Sequence, residues 1–304
     1  MSLSAAHAAG TGDYKWQRDE GSVALLKGGQ VIWQFRYGKD EAKPSFHPLA
    51  PPGGPVLTCY RNEDHPWHRG MWFSWKFING LNYWEEDKAG ISEGRTETSN
   101  VKIVTRPGHS ARLTMDITYH PPDQKPVLTE KRVIEVSAPD TQGIFHLDWA
   151  MNFTAQDKDV FLDRTPIPGD PDGKAHGGYS GLAVRFAREM TGIQATTTNG
   201  PLKFPDTGYR GIRTKAPAAD YSGVLEGREA GIAFVDNPKN LNAPSPWWII
   251  DFKAMKYFNP SVLCYAPYTL KAGQSMTLRY RALVHMGRWD SERLRAEAER
   301  YAKN

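Results

Sequence analysis

The stretch HPWHRGMWFSWKFINGLNYW, from His65 to Trp84, decides the fold of this chain. It holds two of the nine histidines and four of the ten tryptophans. Its Asn79-Gly80 pair lies between apolar runs. Such a pair is the strongest short-range signal for a β-hairpin, because both central positions of a type I′ turn need a positive φ. The stretch therefore predicts β-strands joined by a tight turn.

The same stretch has two different faces when it is extended, because successive side chains of a strand point to opposite sides. One side is expected to face the core and carries Arg69, Met71, Phe73, Trp75 and Phe77. The other side carries His68, Trp72, Ser74 and Lys76. This second side combines an indole ring with a titratable ring and polar groups, which a small polar ligand needs. We therefore expect His68, Trp72 and Lys76 to belong to a site.

The strand pattern repeats along the rest of the chain. About fifteen short, alternating segments follow one another between Gly, Pro and Asn residues, which is typical of an all-β fold. One helix is predicted at the C-terminus, where Asp290 or Ser291 can cap it and Leu294, Ala298 and Tyr301 share one face. We predict a large antiparallel β-sandwich with a short C-terminal helix. Residues 1–20 are expected to be loosely ordered, and residues 21–304 to form one domain.

Charge and composition exclude some classes of partner. The net charge is +4, from 38 basic and 34 acidic residues, and no Lys/Arg run stands out. This argues against a nucleic-acid partner, which would need a clustered basic face. No apolar run approaches the roughly 20 residues of a membrane helix. Cys59 and Cys264 are either buried as small apolar groups or joined in one disulfide. The sequence does not predict an oligomeric state.

Other predicted strands also present polar groups opposite an apolar face. His146 and Asp148 lie on one such strand, and Arg281 and His285 on another. The ordinary interpretation is a sheet face that is exposed to solvent. The alternative is a concave sugar cleft that runs across several strands. On that hypothesis His146 and Asp148 act in catalysis, and Arg281 and His285 bind the ligand.

The two histidines of the opening stretch allow two kinds of chemistry. His65 and His68, with a third ligand, could bind a divalent metal. On an extended strand these positions face opposite ways, so joint ligation needs a bend at Pro66. The alternative is that His68 is a general acid or base while His65 contacts the ligand. Arg69 could clamp a ligand in bidentate fashion, or pair with Glu63 or Asp64. We expect no cofactor.

Carboxylates and one more histidine complete the candidates. Glu85 and Glu86 follow Trp84 directly, and acid–base chemistry on a sugar needs carboxylates near the sugar ring. A solvated charge run explains them equally well. His176 ends the Asp-, Gly- and Pro-rich segment 155–180, next to two glycines that could let it close over a ligand. It could also be a loop residue without a role.

Taken together, these motifs resemble a bacterial family of exported proteins, the PmoA-like family, labelled methane oxygenase PmoA. The resemblance covers roughly residues 22–287 and includes the blocks LTEKRVIEV (128–136), FHLDWAMNF (145–153), HGGYSGLAVRF (176–186) and LRYRALVHMG (278–287). It implies a secreted β-sandwich, similar in shape to the galactose-mutarotase-like supersandwich. Mutarotases pair a histidine acid with a carboxylate base across such a sheet.

Roles for individual residues follow from the resemblance. It implies His68, His146 or His176 as the acid and Glu85, Glu130 or Asp148 as the base. Trp84, and Arg185 within the third block, are expected to bind the ligand. The segment AAHAAG near the N-terminus resembles the end of a cleaved signal peptide, which agrees with export to the periplasm or the outside of the cell.

The sequence therefore favours a carbohydrate-active protein. We expect an enzyme that acts on a sugar or glycoside by His/carboxylate acid–base catalysis, with epimerase, hydrolase and lyase all open. One alternative is a non-catalytic carbohydrate-binding module. Another is a metal-dependent oxidoreductase that uses His65 and His68, as the family label suggests. The expected partner is a small sugar or an oligosaccharide.

Overall fold

The computed structural model describes residues 13–39, 41 and 43–303. Two large sheets of nine strands each carry the fold, and neighbouring strands in them run antiparallel. The first large sheet has the order β1-β2-β3-β4-β7-β15-β22-β21-β18. Its strands are β1 (Tyr14–Asp19), β2 (Ser22–Lys27), β3 (Gln30–Arg36), β4 (Ser45–Leu49), β7 (Met71–Ser74), β15 (Gly181–Arg185), β18 (Gly211–Lys215), β21 (Pro246–Phe252) and β22 (Met255–Pro260).

The second large sheet has the order β10-β11-β12-β13-β24-β20-β19-β16-β17. Its strands are β10 (Arg95–Thr105), β11 (Ala111–His120), β12 (Leu128–Val136), β13 (Phe145–Ala155), β16 (Thr191–Thr197), β17 (Gly200–Leu202), β19 (Ala218–Leu225), β20 (Arg228–Asp236) and β24 (Ser275–Met286). Two small sheets lie beside the large ones. They contain β5 (Tyr60–Asn62) with β6 (His65–Arg69), and β8 (Phe77–Ile78), β9 (Leu81–Asn82), β14 (Val160–Asp163) and β23 (Tyr268–Leu270).

The two large sheets pack face to face, and their inner side chains form the core. On β13 every second residue is buried, from Phe145 to Ala155. The ring of Trp149 lies 5.8 Å from that of Phe46 in the opposite sheet, and Phe153 lies 5.3 Å from Phe73. Interdigitation of two inner faces is the packing of a β-sandwich. The prediction of an all-β antiparallel sandwich is confirmed.

The C-terminal helix, α1 (Ser291–Ala302), begins where the sequence predicted. The Asp290 side chain accepts a hydrogen bond from the Arg293 amide at 2.8 Å, as an N-cap does. Leu294 and Tyr301 are buried in a cluster with Ala233 and Leu283, on the outer face of the second sheet. The helix therefore covers the face of that sheet which points away from the core.

The opening stretch folds into three pieces rather than one strand and a hairpin. Strand β6 pairs with β5, β7 enters the first large sheet, and β8 and β9 form a hairpin in a small sheet. Gly70 separates β6 from β7 with a φ of 70°. A Cβ at this position would lie 2.3 Å from the Phe46 carbonyl oxygen, so only glycine fits.

Some local expectations differ from the structure. Residues 14–19, expected to be loosely ordered, pair with β2 as the edge strand β1. Residues 1–12 lie outside the described residues. The apolar segment 261–266, one of the short segments expected to be strands, forms turns instead. Cys59 and Cys264 are both free, so they form no disulfide with each other. Among the described residues, no helix is long and apolar enough to cross a membrane.

Candidate functional site

A cavity of about 550 Å³ opens on the outer face of the first large sheet. Its floor is a cluster of buried side chains from β7, β15, β21 and β22, separate from the core between the sheets. Members of this floor include Trp72, Ala183, Trp248 and Tyr257. The site exists because residues on these strands alternate: Met71 and Phe73 face the core, while Trp72 faces outward. The cavity therefore lies where the sandwich presents an apolar outer face.

Aromatic rings make up most of the cavity wall. The aromatic lining residues are Trp67, Trp84, Tyr179, Tyr209, Trp248, Phe252 and Tyr257. Two of them carry buried polar atoms that have no hydrogen-bond partner within the described part of the chain, namely Trp248 Nε1 and Tyr257 OH. A buried donor without a partner costs about 1–3 kcal/mol. A ligand with hydroxyl groups could satisfy both atoms.

His65 and His68 lie together in the cavity wall. Their rings stack with centroids 4.7 Å apart, so both imidazoles lie on one side, where the β5–β6 pairing shifts register. His68 also stacks on Tyr257, with a centroid distance of 5.7 Å. The Nδ1 atom of His65 lies 3.1 Å from a carboxylate oxygen of Asp64. The sequence analysis placed both histidines in the site, and the structure brings them into one cavity.

Arg185 fixes His68 from behind and does not line the cavity. Its buried guanidinium donates to Asp64 at 2.5 Å and lies 3.3 Å from Nδ1 of His68. Because a guanidinium can only donate, Nδ1 accepts and the hydrogen of the neutral ring lies on Nε2. Burial lowers the pKa of His68 well below its usual value, and the charges of His65 and Arg185 lower it further. His68 is therefore a neutral imidazole at pH 7.

Glu85 lines the cavity, as does one other carboxylate, Asp64. It accepts a hydrogen bond from Tyr179 OH at 2.7 Å and forms an ion pair with the buried Lys76. Burial alone would raise the pKa of Glu85. Lys76 and the hydrogen bonds from Tyr179 and Asn82 outweigh burial, so the pKa lies below its usual value. Glu85 is therefore ionised at neutral pH, and Lys76 holds it in place.

Of the three predicted ligand contacts Trp72, Lys76 and Trp84, one lines the cavity and two lie behind its wall. Trp72 is fully buried in the floor, and its ring lies 4.9 Å from that of His68. Lys76 contacts Glu85 rather than the cavity. Trp84 is the member of this group that lines the cavity. Lys76 and Trp72 thus support the residues that a ligand would touch.

Arg69 does not line the cavity and pairs with carboxylates of this chain. Its buried guanidinium donates to both carboxylate oxygens of Glu86, at 2.7 and 2.8 Å, and to Glu41 at 2.9 Å. Lys43 pairs with the same Glu86 at 2.9 Å and donates to the Trp84 carbonyl. The carboxylate partners of Arg69 are therefore Glu41 and Glu86, and not Glu63 or Asp64 as the sequence suggested. The cluster holds the backbone of Trp84 at the cavity edge.

His176 lies at the cavity rim. It is exposed and lines the cavity, as predicted from its place at the end of segment 155–180. Arg213 holds the loop on both sides of it by donating to the carbonyls of Ala175 and Gly177, each at 2.7 Å. Burial lowers the pKa of His176, the charge of Glu85 raises it, and Lys174, Lys76 and Arg213 lower it further. The pKa of His176 therefore lies below its usual value.

The polar residues of β13 and β24 do not reach this cavity. The predicted cleft across all the polar strand faces is therefore wrong. Strands β13 and β24 belong to the second sheet, and the core separates the outer face of that sheet from the outer face of the first. Arg281 donates twice to Asp148, at 2.6 and 2.7 Å, and His146 lies 3.6 Å from Asp148. His285 is fully buried, 2.8 Å from Asp220 and stacked on Trp289.

Glu130 also lies away from the cavity. It is buried with Arg132 and Tyr119, and the Tyr119 hydroxyl donates to it at 2.5 Å. These side chains lie on the inner face of the second sheet, where Arg132 lies over the rings of Phe73 and Trp149. Of the carboxylates considered as bases, Glu85 is the one that lines the cavity.

The residues around His65 and His68 do not match the needs of a divalent metal. Among the described residues no group of three or more His, Cys, Asp or Glu side chains could hold an ion. Asp64 is the carboxylate next to the two imidazoles, and Arg185 already neutralises it. The guanidinium also lies beside Nδ1 of His68. This donor set does not support the metal-dependent alternative.

Sequence reasoning missed several wall residues, among them Tyr209, Trp248, Phe252 and Tyr257. The Trp247-Trp248 pair carried a usable signal. On a strand two neighbouring residues face opposite ways, so one indole of the pair must leave the core. Trp247 lies in the core, and Trp248 lies in the floor of the cavity.

Comparison with protein families gives one match, to a family of unknown function named DUF6807, over residues 22–299. The chain belongs to this family. No curated protein matches the chain. The comparisons do not return the PmoA-like label that the sequence motifs suggested. The family's description states no activity, so membership leaves the chemistry of the cavity open.

Solved structures of sugar-related proteins share part of the architecture. An α-galactosidase from Lactobacillus brevis has 8% identity and a TM-score of 0.44. The match includes 92% of this chain but only 40% of the galactosidase chain. A candidate aldose 1-epimerase from Klebsiella pneumoniae has 11% identity and a TM-score of 0.43, over 94% and 81% of the two chains. A galactose mutarotase related enzyme from Lactobacillus acidophilus has 6% identity and a TM-score of 0.38, over 90% and 97%. Such distant likenesses carry no argument about activity.

Proposed function

We propose that this member of the family is a carbohydrate-active protein, an enzyme that acts on a sugar or glycoside by acid–base catalysis. One observation carries the proposal: a single aromatic-walled cavity holds both the imidazole of His68 and the carboxylate of Glu85. A mostly apolar cavity with a few convergent polar groups is the usual form of a small-molecule site. Epimerisation, glycoside hydrolysis and elimination all fit this pair of groups.

The environment of each group supports its role. Arg185 holds His68 in the tautomer with hydrogen on Nε2, so His68 offers that hydrogen to a sugar oxygen. Glu85 is ionised because Lys76 and Tyr179 stabilise its charge, so it can accept a proton. His176, exposed at the rim, also lines the cavity and lies within reach of a ligand. The cavity therefore offers a hydrogen-bond donor at Nε2 of His68 and a proton acceptor at Glu85.

A sugar-binding protein without turnover is the second candidate. The aromatic wall, with Trp248 Nε1 and Tyr257 OH unpartnered, would serve binding alone equally well. The two candidates differ in what the removal of His68 does. An enzyme loses turnover, whereas a binding protein loses only affinity.

The test is a panel of sugars, oligosaccharides and aryl glycosides, measured for binding by tryptophan fluorescence and for turnover by chromatography and polarimetry. We expect binding to quench the fluorescence, because three tryptophans line the cavity. In His68→Ala, turnover should fall by at least about 100-fold, the usual contribution of a positioned acid or base. The control is His120→Ala, since His120 lies on β11 in the other sheet.

Circular dichroism of both variants checks that the fold is kept. Turnover that survives in His68→Ala would contradict the catalytic role, and binding without any turnover would favour the binding protein. If no member of the panel binds, the proposal fails. Export remains a separate prediction, which intact-mass measurement of the natively expressed protein would contradict by finding an uncleaved precursor in the cytoplasm.

A further inference from the structure

The charges around the cavity do not cancel. Two carboxylates line it, Asp64 and Glu85. Each has its own cation behind the wall: Arg185 for Asp64 and Lys76 for Glu85. Lys253 also lines the cavity, and within the described residues it forms no ion pair with a carboxylate. With the two pairs neutralised, one positive charge is left over.

Lys253 lies where a ligand would enter. It occupies the turn between β21 and β22, where Phe252 pairs with Met255 in the register. Its backbone has a φ of 52°, and its ammonium group lies 5.3 Å from the Phe252 ring. Phe252, Ala254 and Met255 line the cavity with it. The turn thus places a cation at the edge of an aromatic wall.

The neighbourhood of this turn adds to the positive charge. Asp251, the acidic residue of the hairpin, is shared by two cations, Arg210 at 3.1 Å and Lys256 at 2.5 Å. Three cations, Lys253, Lys256 and Arg210, therefore accompany the carboxylate of Asp251 around this turn.

We propose that the occupant of the cavity is an anionic sugar, in which a carboxylate or sulfate group pairs with Lys253 while the ring lies against the aromatic wall. This inference rests on the proposed function and adds the class of sugar. A neutral sugar would leave Lys253 without a partner. An anionic one forms a charge-assisted hydrogen bond, which is roughly twice as strong as a neutral one.

The experiment compares sugars that differ only in charge at one carbon. The matched pairs are D-glucuronate with D-glucose and D-galacturonate with D-galactose, and D-glucose 6-sulfate separates sulfate from carboxylate. Affinities are measured by calorimetry with the whole chain. We expect the anionic member to bind about tenfold more tightly, which is what one charge-assisted hydrogen bond is worth. In 0.5 M salt the advantage should shrink, because Lys253 is exposed.

Lys253→Gln should weaken the binding of the anionic sugars and so remove the preference. The control is Lys125→Gln, which removes one exposed positive charge from the loop between β11 and β12 in the other sheet. Equal or tighter binding of the neutral sugars would overturn the inference and leave the proposed function standing. A preference that survives in Lys253→Gln would also overturn it. No binding of any sugar would remove the proposed function and the inference together.

Discussion

Lys76 contributes more than any other neighbour to keeping Glu85 ionised. Burial disfavours its ionised form, and Lys76 provides the largest opposing effect. Since the folded chain holds the Glu85 proton less tightly than the unfolded chain does, ionised Glu85 stabilises the fold above the usual glutamate pKa. That contribution is lost as the pH falls through the lower pKa of the folded state.

Lys76→Met should raise the pKa of Glu85 above its wild-type value, because burial then acts with less opposition. The measurement is an NMR pH titration of the glutamate side-chain carboxyl carbons. Lys131→Met is the control, because Lys131 pairs with Asp116 on the other sheet. An unchanged or lower Glu85 pKa in Lys76→Met would show that the cation does not set it.

Single residues show where sequence reasoning succeeds and where it stops. His68 and Glu85 follow tryptophans in the sequence, His176 precedes two glycines, and all three line the cavity. Arg69 and Arg185, expected to bind the ligand, lie outside the cavity lining for a common physical reason. A buried guanidinium must have carboxylate partners, and for Arg69 these are Glu41, 28 residues away, and Glu86. Such pairings arise only when distant segments meet.

At the scale of elements, the Asn79-Gly80 turn is the clearest success of the pattern. Both residues have a positive φ, 52° and 82°, and the turn joins β8 to β9 in the expected register. The helix cap at Asp290 was also predictable, because capping is a local interaction. By contrast, the break between β6 and β7 at Gly70 was not predictable. It depends on the carbonyl oxygen of Phe46 in another strand, which leaves no room for a side chain there.

Gly80→Ala should destabilise the chain by about 1 kcal/mol or more, because alanine is strained at positive φ. An alanine Cβ would meet no other atom within 4 Å there, so the effect is conformational rather than steric. Gly108→Ala is the matched control, since Gly108 is equally open and has no such φ. Urea unfolding of both variants gives the two free energies. Equal stability of the two would contradict the conformational explanation.

At the scale of the whole molecule, the core between the sheets contains a charged group as well as aromatic rings. Arg132 and Glu130 are almost fully buried and pair at 2.5 Å. Removing one partner of a buried pair typically costs about 3–5 kcal/mol, because the other charge is left without compensation. Arg132→Met should therefore be strongly destabilising.

The double variant Glu130→Gln, Arg132→Met should recover much of that loss, since no buried charge is then left alone. Urea unfolding of the wild type, the single variant and the double variant measures the difference. If the double variant is no more stable than the single variant, the loss comes from packing of the arginine side chain and not from charge.

The sandwich was predictable because alternation of apolar residues recurs on nearly every strand. The assignment of strands to sheets was not. His146 and His285 share the pattern of His68, yet the core lies between them and the cavity. Alternation of apolar residues indicates that a side chain points away from the core, but it does not indicate on which of the two outer faces that side chain lies.

The adjacent indoles of Trp247 and Trp248 constrain how this protein can change during evolution. One supports the inter-sheet core and the other forms the floor of the cavity. Inserting or deleting a single residue in β21 would exchange their positions, so that fold and ligand site would be damaged by the same event. Length changes should therefore be tolerated at the Lys253-Ala254 turn and rejected two or three residues earlier, so the edge of the cavity can change in length while the sandwich stays the same.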